Sequence, residues 1–122
     1  MKIRIRGDSL RLRLSQSDVQ ALDREGVVGD ELHFPAGTAL RCELRVVDGT
    51  DRLDAAFDRH TIGVTMPRAW ARRLVDTDEV GVKSDVALEG GRTMVLLVEK
   101  DFRCLVPREG EDDGDGFDRT GC

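Results

Sequence analysis

Residues 2–14, KIRIRGDSLRLRL, alternate base and aliphatic side chain on both sides of a Gly7-Asp8 pair. Strict period two is the pattern of a strand with one buried face. A two-residue interruption containing glycine is a hairpin turn, the glycine supplying the positive φ. Such a turn sets Ile5 opposite Leu10, Arg4 opposite Arg11, Ile3 opposite Leu12 and Lys2 opposite Arg13. A slip of one residue would carry arginines onto the aliphatic face, so burial of that face forbids it. The predicted hairpin is aliphatic on one side and basic on the other.

The rest of the chain reads by the same rules. SQSDVQALDREG predicts a helix with Ser17 as N-cap, Gln20 three residues on and Gly26 as its stop. Its apolar stripe is thin, mainly Val19 and Leu22. VVGDELHF predicts a strand around Val28, Leu32 and Phe34, closed by a Pro35-Ala36-Gly37 turn. ALRCELRVV alternates with Leu40, Cys42, Leu44 and Val46 inward. RLDAAFD follows with Leu53, Ala55 and Phe57 inward, then TIGVTM with Ile62, Val64 and Met66 inward. Pro67 opens a second helix, PRAWARRLV, anchored by Trp70 and Leu74 one turn apart. VGVKSDVAL is a half-buried strand, and TMVLLVEKDF is apolar on both faces, as a central strand is. The expectation is an α+β fold, order ββαββββαββ, with a mostly antiparallel sheet curled toward a barrel. Residues 1–106 form a single domain, and the acidic, glycine-rich residues 107–122 form a tail.

Composition narrows the function classes. The 122 residues carry a net charge of −5. That argues against nucleic acid or an anionic membrane as a bulk electrostatic partner. One Trp, four Phe and no Tyr leave little with which to stack bases. No run is apolar enough for a membrane span or a signal peptide. Three cysteines without paired spacing suit a reducing cytoplasm. No nucleophile motif, phosphate-binding glycine loop or zinc-protease helix is present, so nothing supports catalysis and no cofactor is implied.

Charge is unevenly placed, and this supplies the leading candidate site. Residues 1–14 hold five bases against Asp8, and residues 109–122 hold six acids against Arg119. Like charges facing each other across a sheet repel. Lys2, Arg4, Arg6, Arg11 and Arg13 therefore call for anions, from Glu99 and Asp101 on the last strand, from the tail, or from an external anion such as a phosphate or an acidic segment of a partner. The tail is too poor in apolar side chains to dock by burial, which leaves charge to hold it. A second candidate is a thiolate–imidazole metal site or redox pair built from His33, Cys104 and Cys122. Cys42 shares parity with Leu40 and Leu44 and is a core residue.

The opening MKIRIRGDSLRLRLSQSDV, the His33-Phe34 pair, TDEVG at 77–81 and LLVEKDFRCL at 96–105 together resemble a family of short bacterial proteins known only as a domain of unknown function. The resemblance covers nearly the whole chain. It implies no activity, cofactor or partner. It does imply Asn where this chain has Asp8, and an aromatic–Pro–Asn–Pro segment leading to a final Cys. Phe117 and Cys122 match that outline, whereas DRTG replaces the proline segment.

Overall fold

A computed structural model of the chain describes residues 1–102 and 116–117. Among them are eight strands and two helices. These are β1 (Lys2–Arg6), β2 (Ser9–Leu14), α1 (Gln16–Glu25), β3 (Val27–His33), β4 (Ala39–Val47), β5 (Asp54–Asp58), β6 (Thr61–Pro67), α2 (Arg68–Asp76), β7 (Gly81–Ala87) and β8 (Thr93–Lys100). The α+β class and the element order agree with expectation. None of the described helices is long and apolar enough to cross a membrane.

The strands do not close into a barrel. They form two four-stranded sheets, β1-β2-β8-β7 and β3-β4-β6-β5. Each sheet consists of two antiparallel hairpins joined at its centre by a parallel pair, β2 with β8 and β4 with β6. One hairpin of every sheet comes from each half of the chain. Residues 1–47 and 54–100 repeat the same ββαββ order, and their backbone bonds correspond. Val95 N–H donates to the Asp8 carbonyl and Arg41 N–H to the His60 carbonyl, at 2.8 and 2.9 Å. Lys100 N–H reaches the Val80 carbonyl and Val46 N–H the Gly26 carbonyl, both at 2.8 Å. The fold is an internal duplication with approximate two-fold symmetry.

One core serves both halves. Leu10, Leu12, Leu14, Leu96 and Val98 of the first sheet meet Cys42, Leu44, Val64 and Met66 of the second. Each helix follows a central strand and buries two residues, Val19 and Leu22 in α1, Ala71 and Leu74 in α2. Trp70 is half-buried and carries the Arg73 guanidinium 5.8 Å from its ring. Helix α1 starts one turn-step earlier than its sequence suggests. Ser15, rather than Ser17, is the N-cap, its hydroxyl accepting from Asp18 N–H while Asp18 accepts from Ser15 N–H. Gly26 ends the helix in the left-handed region, as expected.

The N-terminal hairpin has the predicted register at every pair, from Lys2 with Arg13 to Ile5 with Leu10. The burial prediction holds for β2, where Leu10, Leu12 and Leu14 are buried, but fails on β1. Ile3 and Ile5 are 41% and 63% exposed. Leu32, Phe34 and Phe57, read as inward-facing, are exposed as well. The reason is position. β1, β3 and β5 are edge strands, and the two sheets are not joined by a ladder along these edges, so their apolar faces lie over an open seam.

Equivalent two-residue turns differ in strain. Gly7 takes φ 55° in the first hairpin, whereas Arg59 and His60 hold φ 50° and 62° in the β5–β6 turn. Left-handed backbone costs an L-residue roughly 1–2 kcal/mol, part of which glycine returns through its freer unfolded chain. Replacing Arg59-His60 by Asn-Gly, the preferred pair for such a turn, should stabilise the protein by about 1 kcal/mol. A denaturant midpoint that stays put or falls would contradict this.

Candidate functional site

The five bases of the hairpin do share a face, and the parallel pairing of β2 with β8 determines how they are neutralised. Arg13 is registered against Glu99 and Leu14 against Lys100, which places Glu99 and the following Asp101 at one end of the basic face. There Arg11 lies 3.3 Å and Arg13 3.8 Å from Glu99. Lys2 lies 2.9 Å and Arg13 3.1 Å from Asp101, which is buried. The Arg13–Asp101 approach is an ion pair without hydrogen-bond geometry, since Asp101 Oδ1 and Arg13 Nε both lack a hydrogen-bond partner. The expectation that Glu99 and Asp101 serve the basic face is met.

The other end of the face is different. Opposite Ser9 and Arg11, β8 offers only Val95 and Leu97. Asp8, the one acid within the hairpin, is taken by Arg92, whose Nε and Nη2 reach it at 2.8–3.0 Å. Arg4 and Arg6 have no ion pair among the described residues. Together with Ser9 and Arg11 they line a recess of about 240 Å³. It presents three guanidinium groups and a hydroxyl, a donor set suited to a carboxylate or another oxyanion. Guanidinium groups stay protonated and cannot act as acid or base near neutral pH, so the recess can bind but not transfer protons.

A second depression, of about 280 Å³, runs along the seam between the sheets. Ile3 and Ile5 of β1 form one wall, Asp30, Glu31 and Leu32 of β3 another, and Leu40, Cys42 and Ile62 the floor. Sequence reading missed it because it treats every apolar position of a strand as covered. The exposed Ile5, Leu32 and Phe57 all alternate correctly for burial, and only the strand order reveals them as edge residues.

The remaining candidates fall apart in space or beyond description. His33 is exposed on edge strand β3, its Nε2 3.4 Å from Glu31. Cys104 and Cys122 lie outside the described residues, and no group of metal-ligating side chains occurs among the described ones. Cys42 is a core residue, as expected. Burial, with the nearby Asp30 and Glu43 carboxylates, pushes its thiol up to about 11. Most of residues 107–122, read from sequence as a tail, lie outside the described residues; Gly116 and Phe117 are described and contact the body. Phe117 N–H donates to the Asp101 carbonyl at 2.7 Å, and its ring packs 5.9 Å from that of Phe102. Lys100 Nζ sits 5.4 Å above the Phe117 ring, and Gln16 donates to the Gly116 carbonyl. Burial of one aromatic ring, not charge alone, holds this point of the segment.

Two outcomes follow from the geometry. Asp101→Asn leaves Lys2 and Arg13 without their shared buried carboxylate and should cost about 1–3 kcal/mol, discounted because Lys2 is partly exposed. An unchanged unfolding midpoint would show that Asp101 adds nothing. Cys42 in the native protein should resist alkylation at pH 8 and gain reactivity only as pH approaches 11, because the thiolate is the nucleophile. Peptide mapping after a timed iodoacetamide pulse reads this directly, and ready labelling at pH 8 would refute it.

No curated protein and no solved structure matches the chain. The model of a family of unknown function, DUF7009, matches residues 1–121. The chain belongs to that family.

Proposed function

We propose that this protein is a non-enzymatic binding module whose basic hairpin face receives a carboxylate-rich polypeptide segment, either its own residues 109–122 or an acidic stretch of a partner. The observation that carries the reading is that Arg4 and Arg6 have no ion pair among the described residues. Five bases share a face supplied with two carboxylates, Glu99 of β8 and Asp101 just beyond it, and Arg4 and Arg6 receive neither of them. Forked guanidinium donors favour planar carboxylates at short range. The net charge of −5 repels a long polyanion at a distance, which favours a short acidic segment over a nucleic acid.

Binding to immobilised poly-L-glutamate at low salt tests the reading. Exposed ion pairs are worth roughly 0.2–1 kcal/mol each, so Arg4→Ala with Arg6→Ala should weaken binding by roughly 2- to 30-fold. Equal binding by that variant would overturn the proposal. Neutralising Glu109, Glu111, Asp112, Asp113 and Asp115 as amides retains Phe117 and separates the two sources. Tighter binding that disappears in the Arg4→Ala, Arg6→Ala background identifies the chain's own segment as the competitor. No gain beyond that background identifies a partner.

A further inference from the structure

The two sheets end in four edge strands, β1, β7, β3 and β5. An edge strand presents unpaired backbone donors and acceptors and is a template for another strand unless something blunts it. On β7, Lys83 and Asp85 lie 3.8 Å apart and answer each other. On β3, Glu31 is engaged by Arg41 and His33. The other two edges carry charge of a single sign. β1 presents Arg4 and Arg6, without an anion among the described residues. β5 presents Asp54 and Asp58, which face Thr65 and Thr61 across the ladder. Among the described residues Asp54 accepts only from the adjacent Ala55 N–H, and Asp58 lies 4.0 Å from its neighbour Arg59, both aspartates being largely exposed. These two strands also bear the most exposed large apolar side chain of their respective sheets, Ile5 at 63% and Phe57 at 69%.

We propose that the β1 edge of one copy pairs with the β5 edge of a second copy, joining the two sheets across the contact. This rests on the reading that Arg4 and Arg6 recognise carboxylates, and it names the partner. Both strands are five residues long and separate their charged and large apolar side chains by parity, with Ala56 standing between the two aspartates on the outer face of β5. Antiparallel pairing sets Arg6 opposite Asp54 and Lys2 opposite Asp58 on the outer face, with Arg4 between the two acids. The same register sets Ile5 opposite Ala55 and Ile3 opposite Phe57 on the inner face, where the Phe57 ring extends the apolar wall of the seam. Parallel pairing would turn one sheet's apolar face outward, because β1 and β5 are equivalent edges of the same hand and each has a single free side. Pairing of like edges is disfavoured, since β1 against β1 opposes arginines and β5 against β5 opposes aspartates. The contact is therefore heterologous. Every added copy leaves one β1 and one β5 edge free, so assembly runs to rings or open chains.

Sedimentation equilibrium of the full chain at low and high salt tests the proposal. The weight-average mass should rise with concentration at low salt and return to that of the monomer in high salt. Arg4→Asp with Arg6→Asp, and separately Asp54→Arg with Asp58→Arg, should each be monomeric. An equimolar mixture of the two should associate again, since one retains a native β5 edge and the other a native β1 edge. Circular dichroism checks that the variants fold, and the paired substitutions Arg→Gln and Asp→Asn replace any reversal that does not. A wild-type protein that stays monomeric at every concentration would overturn the proposal, as would undiminished association of the β5 variant. Wild-type monomers that still bind poly-L-glutamate through Arg4 and Arg6 would remove self-pairing alone. Loss of both would remove the carboxylate reading with it.

Discussion

The parallel pairing at the centre of each sheet is the constraint on which the other features depend. β2 can meet β8, and β4 can meet β6, only when the two halves of the chain lie side by side in the duplicated arrangement. A hairpin alone is marginal, and three or more strands with an apolar face, or packing against a helix, are needed for stability. Neither half supplies a four-stranded sheet from its own strands, because each sheet borrows a hairpin from the other half. The buried residues follow the same rule, with Leu12, Leu14, Leu96 and Val98 completing one side of a core whose other side is Leu44, Val64 and Met66. The pairing of β2 with β8 joins the two ends of the domain in sequence, so its loop-closure cost falls on the whole chain between them.

The candidate site is a consequence of that same register. Had β8 been shifted along β2 by two residues toward the turn, faces would be conserved and Glu99 would stand opposite Arg11 instead of Arg13. The acids would then reach further toward Arg4. In the observed register they cluster at Arg13 and Lys2, and the turn end of the face is left with Val95 and Leu97 for neighbours. Gly81 permits this arrangement. A Cβ there would sit 2.7 Å from Glu99 Cβ and 2.8 Å from the Val98 carbonyl, so any larger residue would displace the strand that carries Glu99. The unpaired arginines are thus fixed by backbone pairing rather than by any local feature of the hairpin.

Much of this was legible from sequence where the determinants are local. The β1–β2 register follows from a two-residue turn and a period of two, and it is correct at every pair. Pairing between strands distant in sequence left no such mark, since an apolar run such as Met94–Val98 is compatible with many neighbours. Seam exposure was illegible for a related reason: Ile5 and Leu12 look alike in sequence, and only strand order separates an edge from a centre. The duplication was masked by divergence. Leu22 and Leu74 agree, but Arg11 corresponds to Gly63, Arg13 to Thr65 and Ser15 to Pro67. The tail misled in a different way. Six acids dominated its composition, whereas at its described residues Phe117 packs against the body, and burying part of one ring contributes about as much as several exposed ion pairs.

Divergence between the halves is sharpest at the two edges that correspond to one another. β1 and β5 occupy equivalent places in the duplication and share length and an exposed apolar side chain. Their outward charges are opposite, Lys2 corresponding to Asp54 and Arg6 to Asp58. A symmetric duplication with identical edges would present two copies of one surface, and each could pair with its own kind. Charge of one sign along an edge suppresses that pairing by repulsion, which is a recognised way of protecting an edge strand. Suppression of like pairing by opposite signs on two edges of the same molecule has a necessary corollary. Each edge becomes complementary to the other, in charge on the outer face and in apolar surface on the inner one. Protection against self-pairing and complementarity for a head-to-tail neighbour are, in this fold, the same arrangement of side chains.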